Sequence, residues 1–300
     1  MSSVTVLMST YNGERFLCEQ IESIINQKDV KVKLFVRDDG STDDTKAILQ
    51  KYADEDKLQW YSGKNLGPGY SFLDLVHNAP DDNYYAFSDQ DDVWNIEKLS
   101  TAVKVMEKYG KDKPVLYSCT AQPVTVDLVP IEEAIISKPI ITFGECLVHN
   151  NMPGCTMVFS KALFQLLNEY IGENLLMHDD LLLKLCLAVG GTVIKGDSKH
   201  VYYRQHGNNV VGFKEKFGHA FKRRIKALLQ QSCERSRQLK DIYNIYEKTI
   251  PEKNREMLAK VAFYKERHGG KIRVMFDKRI KASSPKITRH FRIGILLGFF

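Results

Sequence analysis

The stretch YYAFSDQDDVW, residues 84–94, decides how the rest of the chain is read. Its first four residues have the apolar, β-favouring make-up of a buried strand, so Asp89, Asp91 and Asp92 fall where that strand leaves its sheet. In an open α/β sheet, that edge is where ligands bind. Three acids within four positions repel one another, and a divalent cation or a positively charged ligand relieves the repulsion. Oxygen-only ligation suits Mg²⁺ or Mn²⁺, ions that also hold nucleotide phosphates. A solvated acidic turn capping a helix that begins near Asn95 is the competing reading of the same residues.

Working back from this stretch, residues 4–8 read as a first strand, followed by the polar turn 9–13 and a helix carried by Phe16, Leu17, Ile21, Ile24 and Ile25. Residues 32–36 make a second strand running into DDGSTDD at 38–44, where Ser41 and Asp44 have the spacing of an N-cap with an acidic third position. Residues 58–61 form a third strand. The loop KNLGPG at 64–69 follows, and then a helix marked by Phe72, Leu73 and Val76. Beyond the acids, Ile96, Leu99, Val103 and Met106 mark a helix face, and residues 115–119 a fifth strand. Strands alternating with helices at this spacing call for a parallel sheet with right-handed crossovers. The loops at 9–13, 38–43 and 89–92 then share one sheet edge, and that convergence is the argument for a site.

Further on, residues 120–139 lack periodicity and read as a loop or excursion. Strands are expected at 152–160, 192–195 and 200–204, with helices at 161–170 and 175–189. The second of these helices is very apolar and opens on His178, Asp179 and Asp180. Past Gly212 the strand signal stops. Phe217, Phe221, Ile225 and Leu228 suggest an amphipathic helix flanked by Lys222, Arg223, Arg224 and Lys226, and residues 233–246 continue in helix.

Three hundred residues bury a full core, as one large domain or a domain with an appendage. The six cysteines form no C-x-x-C pair, which points to reduced thiols. No charged segment followed by an apolar core opens the chain, so a cytoplasmic protein is expected. The net charge of +6 hides an asymmetry: residues 212–300 hold 23 Lys and Arg against 8 Asp and Glu, while the remainder holds 20 against 29.

Asp38 and Asp39, the acids at 89–92 and Tyr11 on a third loop suit a nucleotide on the sheet edge, with Tyr11 stacking on a base. Turn and helix-cap chemistry is the plainer reading of Asp38 and Asp39. No Walker A sequence and no G-x-G-x-x-G is present, which disfavours a P-loop NTPase or a dinucleotide dehydrogenase.

VTVLMSTYNG, RDDGSTDDT and FSDQDDVW, in that order, closely resemble the signatures of the inverting family 2 of nucleotide-sugar glycosyltransferases. MHDDLLLKL at 177–185 and YRQHGNNVVG at 203–212 look like the same family, and the wording SDQDDVW with YRQHGNN is similar to the bacterial rhamnosyltransferase branch. The resemblance implies a GT-A catalytic domain over residues 1–212, an α/β fold with a mostly parallel, Rossmann-like central sheet and flanking helices. A basic helical extension over 213–300 completes the expected chain.

Carried onto this sequence, the resemblance puts Tyr11 and Asp39 at the base with Thr10 and Asn12 nearby, and Asp38 and Asn65 among the donor residues. It puts Asp89 by the ribose or sugar, Asp91, Asp92 and His206 at Mn²⁺ or Mg²⁺ and the diphosphate, and Asp179 as general base with Asp180 as the alternative. Gly154 either lets the sugar approach the backbone or is a plain turn glycine. The expected donor is a dTDP- or UDP-sugar, foremost dTDP-L-rhamnose, and the expected acceptor a lipid-linked bacterial surface glycan. A UDP-hexose transferase and a catalytically silent nucleotide-binding subunit are the alternatives. For the basic extension, two readings stand: peripheral attachment to an anionic membrane, or packing on the body or in a homodimer. Nucleic acid is not an expected partner, because the cations are interspersed with apolar residues at helical spacing.

Overall fold

The computed structural model describes residues 1–110, 112–131, 140–206 and 234–300. Among these, eight strands form one sheet: β1 Ser3–Thr10, β2 Lys31–Asp38, β3 Gln59–Ser62, β4 Tyr84–Ser88, β5 Val93–Trp94, β6 Val115–Val124, β7 Met157–Ser160 and β8 Thr192–Arg204. Their order is β3-β2-β1-β4-β7-β6-β8-β5. The first four strands run parallel, connected by α1 Leu17–Ile25, α2 Thr45–Asp54 and α3 Pro68–Asn78, as the alternating pattern predicts. β7 enters antiparallel between β4 and β6.

Side chains alternate across the sheet. Leu7, Phe87 and Phe159 face one core, where α3, α6 Lys161–Asn168 and α7 His178–Ala188 pack; Val6, Met8, Ala86 and Val158 face the other, under α1, α2 and α4 Lys98–Met106. In α7, Leu181, Leu182, Leu183, Leu185 and Leu187 are all buried. A helix whose leucines are buried on several sides needs a cover. That cover comes from α8 Glu234–Tyr246 and α9 Glu252–Ala262, whose Leu239, Ile242, Leu258 and Val261 join the same core. Asn254 Nδ2 donates to the carbonyls of Leu187 and Ala188 at 3.1 and 3.0 Å, satisfying acceptors left open at the end of α7. The chain closes with α10 Gly270–Phe276 and α11 Pro285–Leu297.

Four expectations are corrected. Residues 192–204 form one strand rather than two, because the parallel ladder to β6 continues through register shifts near Ser118, Thr120 and Ala121. The fifth strand runs on to Val124, so the aperiodic stretch begins inside the sheet. The strand expected over 152–160 is confined to Met157–Ser160, because the chain after Pro153 takes a tight helical turn at Gly154–Thr156. Ser41 does not cap α2: Asp44 holds the N-cap position, and Ser41 Oγ accepts the Asn12 N–H at 2.9 Å. The amphipathic helix expected around Phe217, and the boundary at 212, lie outside the described residues.

Candidate active site

The register of the parallel strands sets the site. Thr10 pairs with Asp38 and Met8 with Ser88, so the loops after β1, β2 and β4 leave one edge together. Hydrogen bonds lock them. The Tyr11 N–H donates to Gln90 Oε1 at 2.9 Å and the Tyr11 carbonyl accepts from Gln90 Nε2 at 3.0 Å, while the Gly13 N–H donates to Thr45 Oγ1 at 2.8 Å. A Cβ on Gly13 would lie 2.2 Å from Gln90 Oε1, so glycine leaves room for the Gln90 amide to bridge to Tyr11. Asn12 has φ 48, and its side-chain oxygen accepts from the Thr42 N–H at 2.9 Å. The Tyr11 side chain is exposed, leaving a ring face open.

The two acids after β2 behave differently from the exposed residues. Asp38 is fully buried; its carboxylate accepts from the N–H groups of Gly40 and Ser41 at 3.2 and 3.1 Å and from Ser62 Oγ at 2.8 Å, with Thr10 buried beside it. Its hydrogen-bonding capacity is spent on the turn. Asp39 accepts from Arg37, from the Leu66 N–H at 2.8 Å and from the Gly67 N–H at 2.9 Å, and thereby anchors the loop that carries exposed Asn65. Arg37, which the sequence did not single out, extends this anchor to Asp74 and Ser71 at 2.8 and 3.0 Å.

Three carboxylates follow β4. Asp91 is only half-buried and meets His206 Nε2 at 2.7 Å; Asp92, the next residue, turns fully inward. The metal set expected from the sequence is thus divided. Asp91 and His206 form an outer pair, whereas Asp92 gathers with Asp89 and Cys155, their ligand atoms all within 4.8 Å of one another. Burial pushes the Asp89 carboxyl up to about 7 and Asp92 well above the ordinary carboxylate range, and neighbouring acids add to both. Asp92 Oδ2 has no hydrogen-bond partner among the described residues. An orphaned, buried acceptor amid repelling carboxylates fits a cation. The hard oxygens of Asp89, Asp91 and Asp92 and the imidazole of His206 suit Mn²⁺ or Mg²⁺. Cys155 suits neither, because burial raises its thiol well above the usual value and keeps it protonated.

Two buried cations underlie this loop, and neither was legible as functional in the sequence. Lys98 Nζ donates to the Cys155 carbonyl at 2.7 Å and sits 3.0 Å from the Trp94 ring centroid; burial lowers it to about 8. Arg204 donates from Nε to the Asp91 carbonyl at 2.9 Å, from Nη1 to the Val126 carbonyl and from Nη2 to Glu19 at 2.5 Å, while its own N–H reaches Asp92 at 3.2 Å. Lysine at 204 keeps the charge but loses the fork. The Arg204→Lys variant is expected to lose about 1–2 kcal/mol of stability in urea denaturation, two or three buried hydrogen bonds being broken.

The remaining carboxylates open α7. Asp179 is half-buried, with Oδ2 accepting the Gly154 N–H at 3.2 Å and Oδ1 the Asp180 N–H at 2.6 Å. Burial, with the Asp180 charge adding to it, pushes Asp179 up to about 6. The Asp179 charge also helps to raise Asp89, so this carboxylate shares the field of the acid loop. Asp180 is engaged elsewhere: it pairs with buried Lys184 and accepts from Gln238 Nε2 at 3.3 Å. His178 is a core aromatic, stacked 3.8 Å from the Phe72 ring and edge-on to Phe87 at 4.6 Å, and burial lowers it to about 3. A Cβ on Gly154 would lie 2.6 Å from His178 Nε2. Glycine is required there for the approach of α7 to the 153–156 turn, a reason that neither sequence reading of Gly154 supplied.

Comparison with known proteins bears on this arrangement. Residues 5–167, just over half of the chain, match the family model described as glycosyl transferase family 2. The dTDP-rhamnosyl transferase RfbG of Shigella flexneri is 29% identical over 233 residues, covering 72% of this chain and 77% of that one. The putative teichuronic acid biosynthesis glycosyltransferase TuaG of Bacillus subtilis is 29% identical over 158 residues, 52% of this chain and 60% of its own length. Among solved structures, S. aureus TarS 1–349 superposes with a TM-score of 0.60 at 17% identity, covering 99% of this chain and 80% of that one, and has also been solved with UDP-GlcNAc. The likeness shows a shared fold that takes in 99% of this chain, the α/β sheet having the GT-A architecture. The loops on one sheet edge, the acid cluster and the matching family model lead to one conclusion: the chain belongs to glycosyl transferase family 2 and is a glycosyltransferase.

Proposed function

We propose that the protein transfers L-rhamnose from dTDP-L-rhamnose, with inversion, to a growing bacterial surface polysaccharide carried on a lipid at the inner face of the plasma membrane. The observation that carries the catalytic part is the contrast at the start of α7. Asp179 is poised near neutrality and forms no salt bridge among the described residues, the Lys184 charge lowering it only as a minor influence, whereas Asp180 is bound to Lys184. A general base needs a pKa close to working pH and an oxygen free to receive a proton. Asp179 takes the proton of the acceptor hydroxyl as that oxygen bonds to the anomeric carbon, and the electron pair of the breaking bond leaves with the nucleoside diphosphate. No covalent intermediate forms on the enzyme.

Donor binding follows from the loops. Tyr11 stacks on the base, Asp39 holds the loop that places Asn65 beside it, and Asp89 addresses the ribose or sugar. Asp91, Asp92 and His206 would hold Mn²⁺ or Mg²⁺. Such an ion supplies Lewis-acid neutralisation of charge on the departing diphosphate.

The identity shared with a dTDP-rhamnosyl transferase supports the rhamnose donor, and the relation to TuaG supports a surface-polymer acceptor. A thermal-shift panel with Mn²⁺ tests the donor. At a hundred times its Kd, the true donor stabilises by about 2.7 kcal/mol. Stabilisation by dTDP-L-rhamnose above UDP-glucose and UDP-GlcNAc is expected; the reverse order replaces rhamnose by a UDP-hexose.

A further inference from the structure

Among the described residues, large hydrophobic side chains are exposed singly over the body but cluster at the end of the chain. Ile272 and Phe276 on α10, Ile293, Leu296 and Leu297 on α11, and Phe299 after it all face solvent, Phe276 with 78% of its surface exposed. On α11, Thr288, Phe291 and Ile295 already fill the inward face. The outward apolar residues therefore have no partner among the described residues, and a patch of this kind marks an interaction surface.

Charge accompanies the patch. Residues 271–300 contain eight Lys and Arg and a single acid, Asp277. Between α10 and α11 runs an open groove of about 660 Å³, lined by Lys281, Arg289 and Arg292 together with Met275, Ile293 and Leu296 and by no carboxylate. Arg292 Nε is buried with no hydrogen-bond partner among the described residues. Cations bordering exposed apolar side chains complement a surface that is anionic outside and hydrocarbon beneath. With 13 residues, α11 is about 20 Å long, less than the roughly 30 Å hydrocarbon thickness. No helix of the described residues is long and apolar enough to cross a membrane. The fitting orientation is along the interface.

This face is fastened to the catalytic body. The Ser283 N–H and Oγ–H both donate to Glu145 Oε1, at 2.7 and 2.5 Å, on the short helix α5 Phe143–Cys146. A Cβ on Gly144 would lie 2.0 Å from the Arg279 carbonyl oxygen, so the two segments touch backbone to backbone. Phe143 and Cys146 share a core with Leu181 and Leu182 of α7, the helix that opens on Asp179.

We propose that the outer face of α10 and α11, with the cationic groove between them, is the surface on which the protein rests on an anionic phospholipid bilayer. The inference deepens the reading of a lipid-borne acceptor and rests on it only for its purpose. Docking through a rigidly attached face holds the base and the acceptor lipid in one plane.

Flotation of the full chain with phosphatidylcholine vesicles, with and without about 30% phosphatidylglycerol, tests it. Binding is expected to rise with the anionic lipid and to fall at high salt. Lys281→Gln with Arg289→Gln removes two exposed charges and is expected to lower partitioning roughly 30-fold, each charge near the surface being worth about 1 kcal/mol. Leu296→Asn with Leu297→Asn is expected to weaken it independently. Both pairs face solvent, and an unchanged melting temperature shows that the fold is kept. Equal binding to neutral and anionic vesicles, or undiminished partitioning of both variants, overturns the proposal. So does a dimer in sedimentation velocity that the same substitutions dissociate, since a second copy would then cover the face. Donor stabilisation in the wild-type protein, measured in parallel without vesicles, reports separately on the transferase reading.

Discussion

The Asp179→Asn variant is expected to turn over at least ~10²-fold more slowly than the wild type, with donor affinity nearly preserved, because the loss of a general base removes an interaction made in the transition state. Asparagine keeps the shape and a side-chain oxygen for the Gly154 N–H, which Asp179 now accepts at 3.2 Å. It cannot take a proton. Steady-state kinetics and donor titration calorimetry separate the two effects. The Asp180→Asn variant should behave differently, since it breaks the pair with buried Lys184 and loses stability rather than chemistry. The opposite pattern, with Asp180 as the kinetic residue, would sink the assignment.

The pH profile gives the same test a second readout. The Asp179 carboxyl lies at about 6 against an ordinary 3.8, and only its ionised form accepts a proton. Turnover is therefore expected to climb as pH rises through about 6 and to level off above it, and the variant should lack that limb. The same shift works against stability. A folded-state value above the unfolded one means that the contribution is complete below pH 3.8 and is lost as pH rises through about 6. An enzyme that needs this carboxylate charged thus carries it at some expense to its fold.

The second large effect is expected at Asp91. Its side chain meets His206, while its backbone carbonyl, not its carboxylate, receives Arg204. Asp91→Asn therefore removes charge without dismantling the loop. Mn²⁺-dependent donor affinity should fall on the order of 10²-fold, the scale of a disturbed metal site, with an unchanged melting temperature in the absence of metal. Unaltered Mn²⁺-dependent affinity in that variant would remove the cation from the proposed mechanism.

The sheet edge was legible in the sequence because the period of the strands, the turn residues after them and the right-handed crossover together leave one topology. That reasoning reached the convergence of Tyr11, Asp39 and Asp89 from chain order alone, and the register of β1 with β2 and β4 bears it out. The long helices were legible for the same reason. α7 was recognised by its run of leucines, and the acids at its start by their chemistry.

Which acid does what was decided by packing. Asp38 and Asp39 are neighbours of identical type, yet one closes a turn and the other anchors a distant loop; Asp91 and Asp92 part in the same way, outward and inward. Adjacent residues cannot be told apart by local pattern when their partners lie more than a hundred positions away, as Arg204 does from Asp91. Lys98 gave no signal for that reason, a lysine on a helix being ordinary until Trp94 and Cys155 enclose it. By itself, the sequence determined the fold class, the edge where the loops converge and the residue types gathered there, because periodicity and turn chemistry are local. The tertiary structure alone decided which carboxylates are neutralised, which are spent on scaffolding and which remain near neutrality, because burial and charge act through space.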